Sequence, residues 1–210
     1  MRSVIGAAAV LGVVGVLGLA GCSGSDAEGA DEEDRVEAFA PVGAADSPCP
    51  LPIVFDRDQG WVPQPPKADE ATDPEVRDGL ASLTSPGPFD LACELRSPVD
   101  FGYLRVFTGP AALADRDPEA LLTTFVDVFE DGAGRDLTFT SATSDEGSAL
   151  VEVAYEVYDE YDEAYLPRRA FLAPGNDGVA LLVLGGLDAE EHEGMLPAYE
   201  LARRSVRLAD

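Results

Sequence analysis

Lysine, histidine and cysteine are scarce in this chain. Lys67 is its one lysine, His192 its one histidine, and there are three cysteines in 210 residues. A single histidine leaves a Ser-His-Asp or Cys-His enzyme one position for its base. His192 stands among Glu190, Glu191 and Glu193, which points to a solvated side chain, and no nucleophile motif accompanies it. No P-loop is present. The glycines of the N-terminal apolar segment lack the strand–turn–helix setting of a dinucleotide fingerprint. Basic residues are also few: 14 Lys and Arg face 40 Asp and Glu, a formal net charge of -26. So acidic a surface repels phosphate backbones, which makes nucleic acid a poor partner. It repels anionic headgroups too, so the domain stands off a bilayer rather than lying on it. Solubility is the plain consequence of the same charge.

What is present begins at the N-terminus. Arg2 precedes an uncharged run of Val, Leu, Ile, Ala and Gly from Val4 to Leu19. A basic start, an apolar core and small residues before a cut site make a secretory signal. The run falls short of the ~20 apolar residues of a spanning helix. It ends in Leu19-Ala20-Gly21-Cys22, which resembles a bacterial lipobox. The resemblance implies cleavage before Cys22 and a diacylglyceryl thioether on its sulfur. Several acyl chains on one residue supply the multiple anchors that stable attachment needs. The expected organisation is a signal peptide over 1–21, a lipidated Cys22 with a flexible acidic tether over 22–46, and one domain over 47–210. As a coil, the tether spans roughly 25–30 Å. The expected address is the extracytoplasmic face of the cell membrane.

With Cys22 taken by lipid, Cys49 and Cys93 remain in an exported, oxidising setting and are read as a disulfide. Two separate buried thiols are the alternative. One histidine and one disulfide leave no zinc site of the usual kinds, and no metal or cofactor is expected. Arginine in place of lysine, with abundant Ala, Gly, Val and Asp, fits a GC-rich genome such as an actinobacterium's.

The domain reads as an α+β order. Leu51 to Phe55 is an apolar, β-prone run, with Pro52 favouring an edge or a strand start. Pro63, Pro65 and Pro66 are expected to stop any regular element after Trp61-Val62. Asp73-Pro74 fits an N-cap and N1, opening a short helix lined by Val76, Leu80 and Leu83. Phe89 to Leu95 and Gly102 to Phe107 read as strands joined by a turn at Ser97-Pro98. Asp117 caps the best helix, with Pro118 at N1 and an apolar face of Leu121, Leu122, Phe125, Val126, Val128 and Phe129. Leu137 to Thr143 reads as a strand. Ala149, Val151, Val153, Tyr155 and Val157 then alternate with acids, the mark of a strand with one face in water. Arg168 to Ala173 returns. Val179 to Leu184 is wholly apolar, a central strand covered on both faces. A last helix runs to Val206. The whole is an antiparallel sheet with helices packed on it.

Several features together resemble actinobacterial LpqN/LpqT-type lipoproteins, whose domain is a PsbP-like α/β/α sandwich. These are the lipobox and tether, the Phe55…Gly60-Trp61 start, Leu91-Ala92-Cys93-Glu94, the Asp-Pro-capped helix, the long hairpin, and the ending Arg204-Ser205-Val206-Arg207. The resemblance covers about Cys49 to Leu208. It implies binding or accessory roles outside the cytoplasm and no shared catalytic site.

Two stretches lie outside that resemblance: the proline-rich loop after Trp61 and the acidic segment from Tyr158 to Tyr165. In the second, Tyr158, Tyr161 and Tyr165 interleave with Asp159, Glu160, Asp162 and Glu163. Tyrosines at a protruding tip are strong contact residues, and these three form the candidate partner surface. Tyr155 is in phase with the core, and Trp61 reads as a core anchor. The acids are read as a solvated tip rather than a calcium site, because hard cations need convergent oxygens. The leading expectation is a monomeric, non-enzymatic binding or accessory module for an envelope protein or lipid-like ligand, joined to the membrane through Cys22. A carboxylate-dependent envelope hydrolase and a purely structural envelope protein are the alternatives.

Overall fold

The structure is a computed structural model that describes residues 36–66, 83–96, 102–161 and 163–209. The lipobox, Cys22 and the Ser97-Pro98 turn lie outside the described residues. So does the expected helix after Asp73, apart from Leu83 and Thr84, which are helical.

In chain order the elements are β1 (Ala40–Val42), β2 (Ile53–Arg57), β3 (Val62–Gln64), β4 (Asp90–Arg96), β5 (Tyr103–Pro110), α1 (Pro118–Phe129), β6 (Gly134–Thr143), β7 (Ala149–Asp159), β8 (Ala164–Pro174), β9 (Gly178–Gly185), α2 (Ala189–Arg204) and β10 (Arg207–Leu208). Seven strands form one antiparallel sheet in the order β3-β4-β5-β9-β8-β7-β6. A small sheet, β1-β2-β10, lies with α2. The fold is α+β.

The central strand explains the layering. Every residue of β9 is buried. Val179, Leu181 and Val183 join the core under α1, with Phe107, Leu122 and Phe125. Ala180, Leu182 and Leu184 join the opposite core, with Phe55, Tyr199 and Met195. An antiparallel strand without polar alternation is stable only when helices or strands cover both faces. On β7 the alternation is kept: Val153 and Tyr155 are buried toward α1, while Glu152 and Glu156 point to the other face.

Helix α1 starts as the sequence predicts, whereas α2 opens at Ala189 behind a cap that the sequence reading did not name and ends at Arg204, before Val206. The Asp117 carboxylate accepts from the Glu119 amide at 3.2 Å, with Pro118 at N1. The buried face of α1 brings Phe125 and Phe129 to within 5.0 Å, stacked, with Phe107 at 5.1 Å from Phe125. Asp188 caps α2 through the Glu191 amide at 2.7 Å, and Arg203 and Arg204 sit in its last turn, where cations suit the dipole. Cys49 and Cys93 are disulfide-bonded, joining the loop before β2 to β4.

Three expectations are corrected. The fold begins before Ser47: β1 pairs with β2, and Val42 is wholly buried, so the apolar residues near the end of the acidic stretch belong to the domain. Pro63 does not stop regular structure: β3 pairs with β4 at the sheet edge, where a missing N–H facing outward costs nothing. His192 is not solvated but 2% exposed, on the inner face of α2, because the helix turns it inward with Met195 and Tyr199 at helical spacing.

Candidate functional site

Cleft and tip lie at opposite ends of the long strands. At one end, a half-open cleft of about 370 Å³ lies beside the start of α1. Leu113, Leu150, Leu172 and Val179 are buried at its floor, while Arg116, Ser141, Thr143 and Ala149 are exposed at its rim. The lining comes from the 3-10 turn after β5, the first residue of α1, and the ends of β6 to β9. Its volume is that of small-molecule sites, and an apolar floor with few polar groups is their usual chemistry. The sequence alone did not single out these residues. They come from five stretches, each with an ordinary strand or turn pattern, and only the fold brings them together.

At the opposite end is the tip of the β7–β8 hairpin. Tyr158 and Tyr165 face each other in register, with ring centroids 5.1 Å apart. Both are nearly half exposed, and Tyr161 is 95% exposed. The Arg135 guanidinium, from β6, lies over the Tyr165 ring, 3.0 Å from its centroid. Arg135 is held there by Glu156, through Nη2 at 2.8 Å and Nε at 3.3 Å. The structure thus brings Tyr158 and Tyr165 together and leaves Tyr161 free of the stack. Tyr155 is buried, 3% exposed, and Trp61 is 4% exposed; both serve the core.

Among the described residues two carboxylates have raised pKa values, on opposite faces of the sheet. Under the end of α1, Glu130 accepts a 2.8 Å hydrogen bond from Tyr155; burial raises its pKa, against lowering by that bond and by Arg168. On the α2 face, Glu152 is raised by burial and lowered by Arg169 and Arg203. It belongs to a network in which Arg169 Nη1 contacts Glu152 at 3.2 Å and Glu200 at 3.6 Å, and Arg203 contacts Glu152 at 3.4 Å and Glu200 at 2.6 Å. With the sheet between them, Glu130 and Glu152 cannot flank one scissile bond. Beside the network, the Tyr199 hydroxyl and both His192 ring nitrogens are buried with no hydrogen-bond partner among the described residues. Burial, then Arg168 and Arg169, lower the His192 pKa to about 4. Among the described residues no group of three His, Cys, Asp or Glu is placed to hold a metal ion. Asp56, in β2, is paired with Arg207 at 3.0 Å.

The family described as uncharacterised lipoprotein matches residues 21–206. The chain belongs to this lipoprotein family. The matched span opens one residue before Cys22. Among solved structures, the crystal structure of LpqN, involved in cell envelope biogenesis of Mycobacterium tuberculosis, is similar with a TM-score of 0.38 and 15% identity, over 80% of this chain and 88% of that one. No curated protein sequence matches the chain. As a lipoprotein, the chain is a membrane-anchored envelope protein. No helix among the described residues is long and apolar enough to cross a membrane.

Proposed function

We propose that this lipoprotein is a non-enzymatic binding module of the PsbP-like kind. Lipid on Cys22 holds it at the extracytoplasmic face of the cell membrane, and its cleft takes the apolar part of a lipid-like ligand. The observation that carries this reading is the cleft itself, with its floor of Leu113, Leu150, Leu172 and Val179. Such a floor rewards burial of hydrocarbon at about 25 cal/mol per Å², and the rim groups Arg116, Ser141 and Thr143 are suited to a polar headgroup. The cleft also lies at the end of the domain where the chain arrives from its N-terminal side. The Val36 carbonyl accepts from Arg204 Nη2 at 2.9 Å, and the Arg204 carbonyl accepts from the Asp145 amide at 2.7 Å, in the turn between the cleft-lining ends of β6 and β7. The separation of Glu130 from Glu152 favours binding over paired-carboxylate hydrolysis.

The test is native mass spectrometry of protein extracted from its own membranes, before and after denaturation. The reading expects a non-covalent mass that is lost on denaturation, on a polypeptide whose covalent mass carries lipid at Cys22. Ala149→Trp, which fills the rim from an exposed position, should abolish the non-covalent mass and leave the covalent one unchanged. An adduct retained at full occupancy in that variant, or none in the native protein, would overturn the cleft as the binding site.

A further inference from the structure

We propose that the β7–β8 tip is a docking surface for an arginine-bearing segment of a partner protein. Exposed apolar side chains are scattered elsewhere, but Tyr158, Tyr161 and Tyr165 share one hairpin and are three of the eight large ones exposed among the described residues. Tyrosine suits such a role because it brings a large, rigid, amphipathic contact at low entropic cost. The surface is also preorganised: Glu156 fixes Arg135, Arg135 covers Tyr165, and Tyr165 packs on Tyr158. Little side-chain freedom then remains to be lost on binding.

Charge selects the partner. Glu160 and Glu163 are exposed in the same hairpin as the tyrosines, and Asp136 is exposed beside Arg135, on a chain of net charge -26. Anionic lipid and nucleic acid are repelled, while a cationic segment is drawn in and steered. The structure itself contains the binding mode on a small scale. Arg135 lies over a tyrosine face while pairing with a carboxylate, which is how a guanidinium is held most tightly at a surface. Tyr161, beside Glu160, offers the same combination with its ring uncovered.

Position agrees. The chain arrives beside Arg204 and Asp145, at the start of β7. The 11 residues of β7 carry the tip away from there by on the order of 35 Å, at about 3.3 Å per residue. The tip therefore occupies the end of the domain remote from Val36.

The experiment measures fluorescence anisotropy of a labelled dodecapeptide of alternating Arg and Gly against the full lipidated chain in neutral detergent. The triple variant Tyr158→Ser/Tyr161→Ser/Tyr165→Ser keeps the net charge, and should weaken binding by at least about threefold, the loss of the one uncovered ring. Tyr161→Ser alone should weaken it about threefold, whereas Tyr161→Phe should leave it nearly unchanged. Because Tyr161 makes no core contact, that pair decides the matter even if the triple variant unfolds. Equal affinity for wild type and Tyr161→Ser would overturn the proposal and leave only generic attraction to an acidic surface. Absence of binding to the wild type would overturn it as well.

Discussion

The hydroxyl of Tyr155 donates a 2.8 Å hydrogen bond to Oε1 of Glu130, fastening the middle of β7 to the residue that ends α1. The bond lowers the Glu130 pKa, but burial raises it by more. A carboxyl whose folded pKa lies above its unfolded one stabilises the fold below the unfolded pKa, and that contribution is lost as pH rises through the folded value. Glu130→Gln keeps an acceptor for Tyr155 and never ionises. The variant should melt above the wild type at pH 7, by no more than about 4 °C, and the two should converge near pH 3. A thermal melt series across that range reads the difference.

His192 gives the opposite slope. Its pKa is lowered to about 4 by burial and by Arg168 and Arg169, from an ordinary value near 6.5. As pH falls below the unfolded value, the unfolded chain takes up a proton that the folded chain refuses. Stability is lost from there down to about pH 4, where both states are protonated. The loss amounts to as much as about 3 kcal/mol. His192→Leu should remove this slope and, by replacing two unpartnered ring nitrogens with hydrocarbon, stabilise the protein most clearly near pH 5. Urea titrations of both proteins at pH 7 and pH 5 test it; an equal drop in each would show that His192 does not titrate as argued.

His192 also marks where the sequence stops being legible. The strands, the caps at Asp117 and the two-sided burial of β9 follow from local pattern, because period and capping chemistry are properties of consecutive residues. His192 is flanked by the exposed Glu193 and by Glu191, half-buried with its carboxylate on the Leu187 amide, and the local composition hides a side chain that points in. Pro63 misleads for the related reason that edge position is a property of the whole sheet. The tyrosine tip was visible because its residues are contiguous. The cleft was not, because Leu113, Ser141, Leu150, Leu172 and Val179 meet only after the sheet forms.

Gly43 is held where a side chain does not fit. Its φ is +101°, and a Cβ there would lie 2.1 Å from the Ile53 carbonyl oxygen, in β2. The close approach lets the chain turn from β1 toward the Cys49 loop, with the Leu51 amide bonded to the Gly43 carbonyl at 3.0 Å. Gly43→Ala should therefore cost more than the ~1–3 kcal/mol of left-handed strain alone, since backbone must also move. Chemical denaturation should show a midpoint shift well beyond that of an exposed Gly→Ala control such as Gly194, where a Cβ meets nothing within 4 Å.

The Cys49–Cys93 bond is the covalent tie between the small sheet's approach loop and the large sheet. Its cysteines are 44 residues apart and buried, at 1% and 0% exposure. Closing a loop of that size in the unfolded chain is worth roughly 4 kcal/mol on the chain-entropy account. Both cysteines belong to the buried apolar core that also holds Leu51, Phe55 and Leu95, so Cys49→Ala/Cys93→Ala exchanges a buried apolar bridge for two methyl groups and leaves no polar atom unpaired. The double variant should fold to the same secondary structure and melt about 10 °C lower. Each single variant should do no better than the double, because the remaining thiol cannot recover the cross-link. The decisive control adds reductant to the wild type. If the bond acts through the cross-link, reduction should move the wild-type melt most of the way to that of the double variant and leave the double variant unmoved. If the wild type melts at the same temperature with and without reductant, once a thiol assay on unfolded protein confirms reduction, the stabilisation assigned to the cross-link would have to come from packing instead.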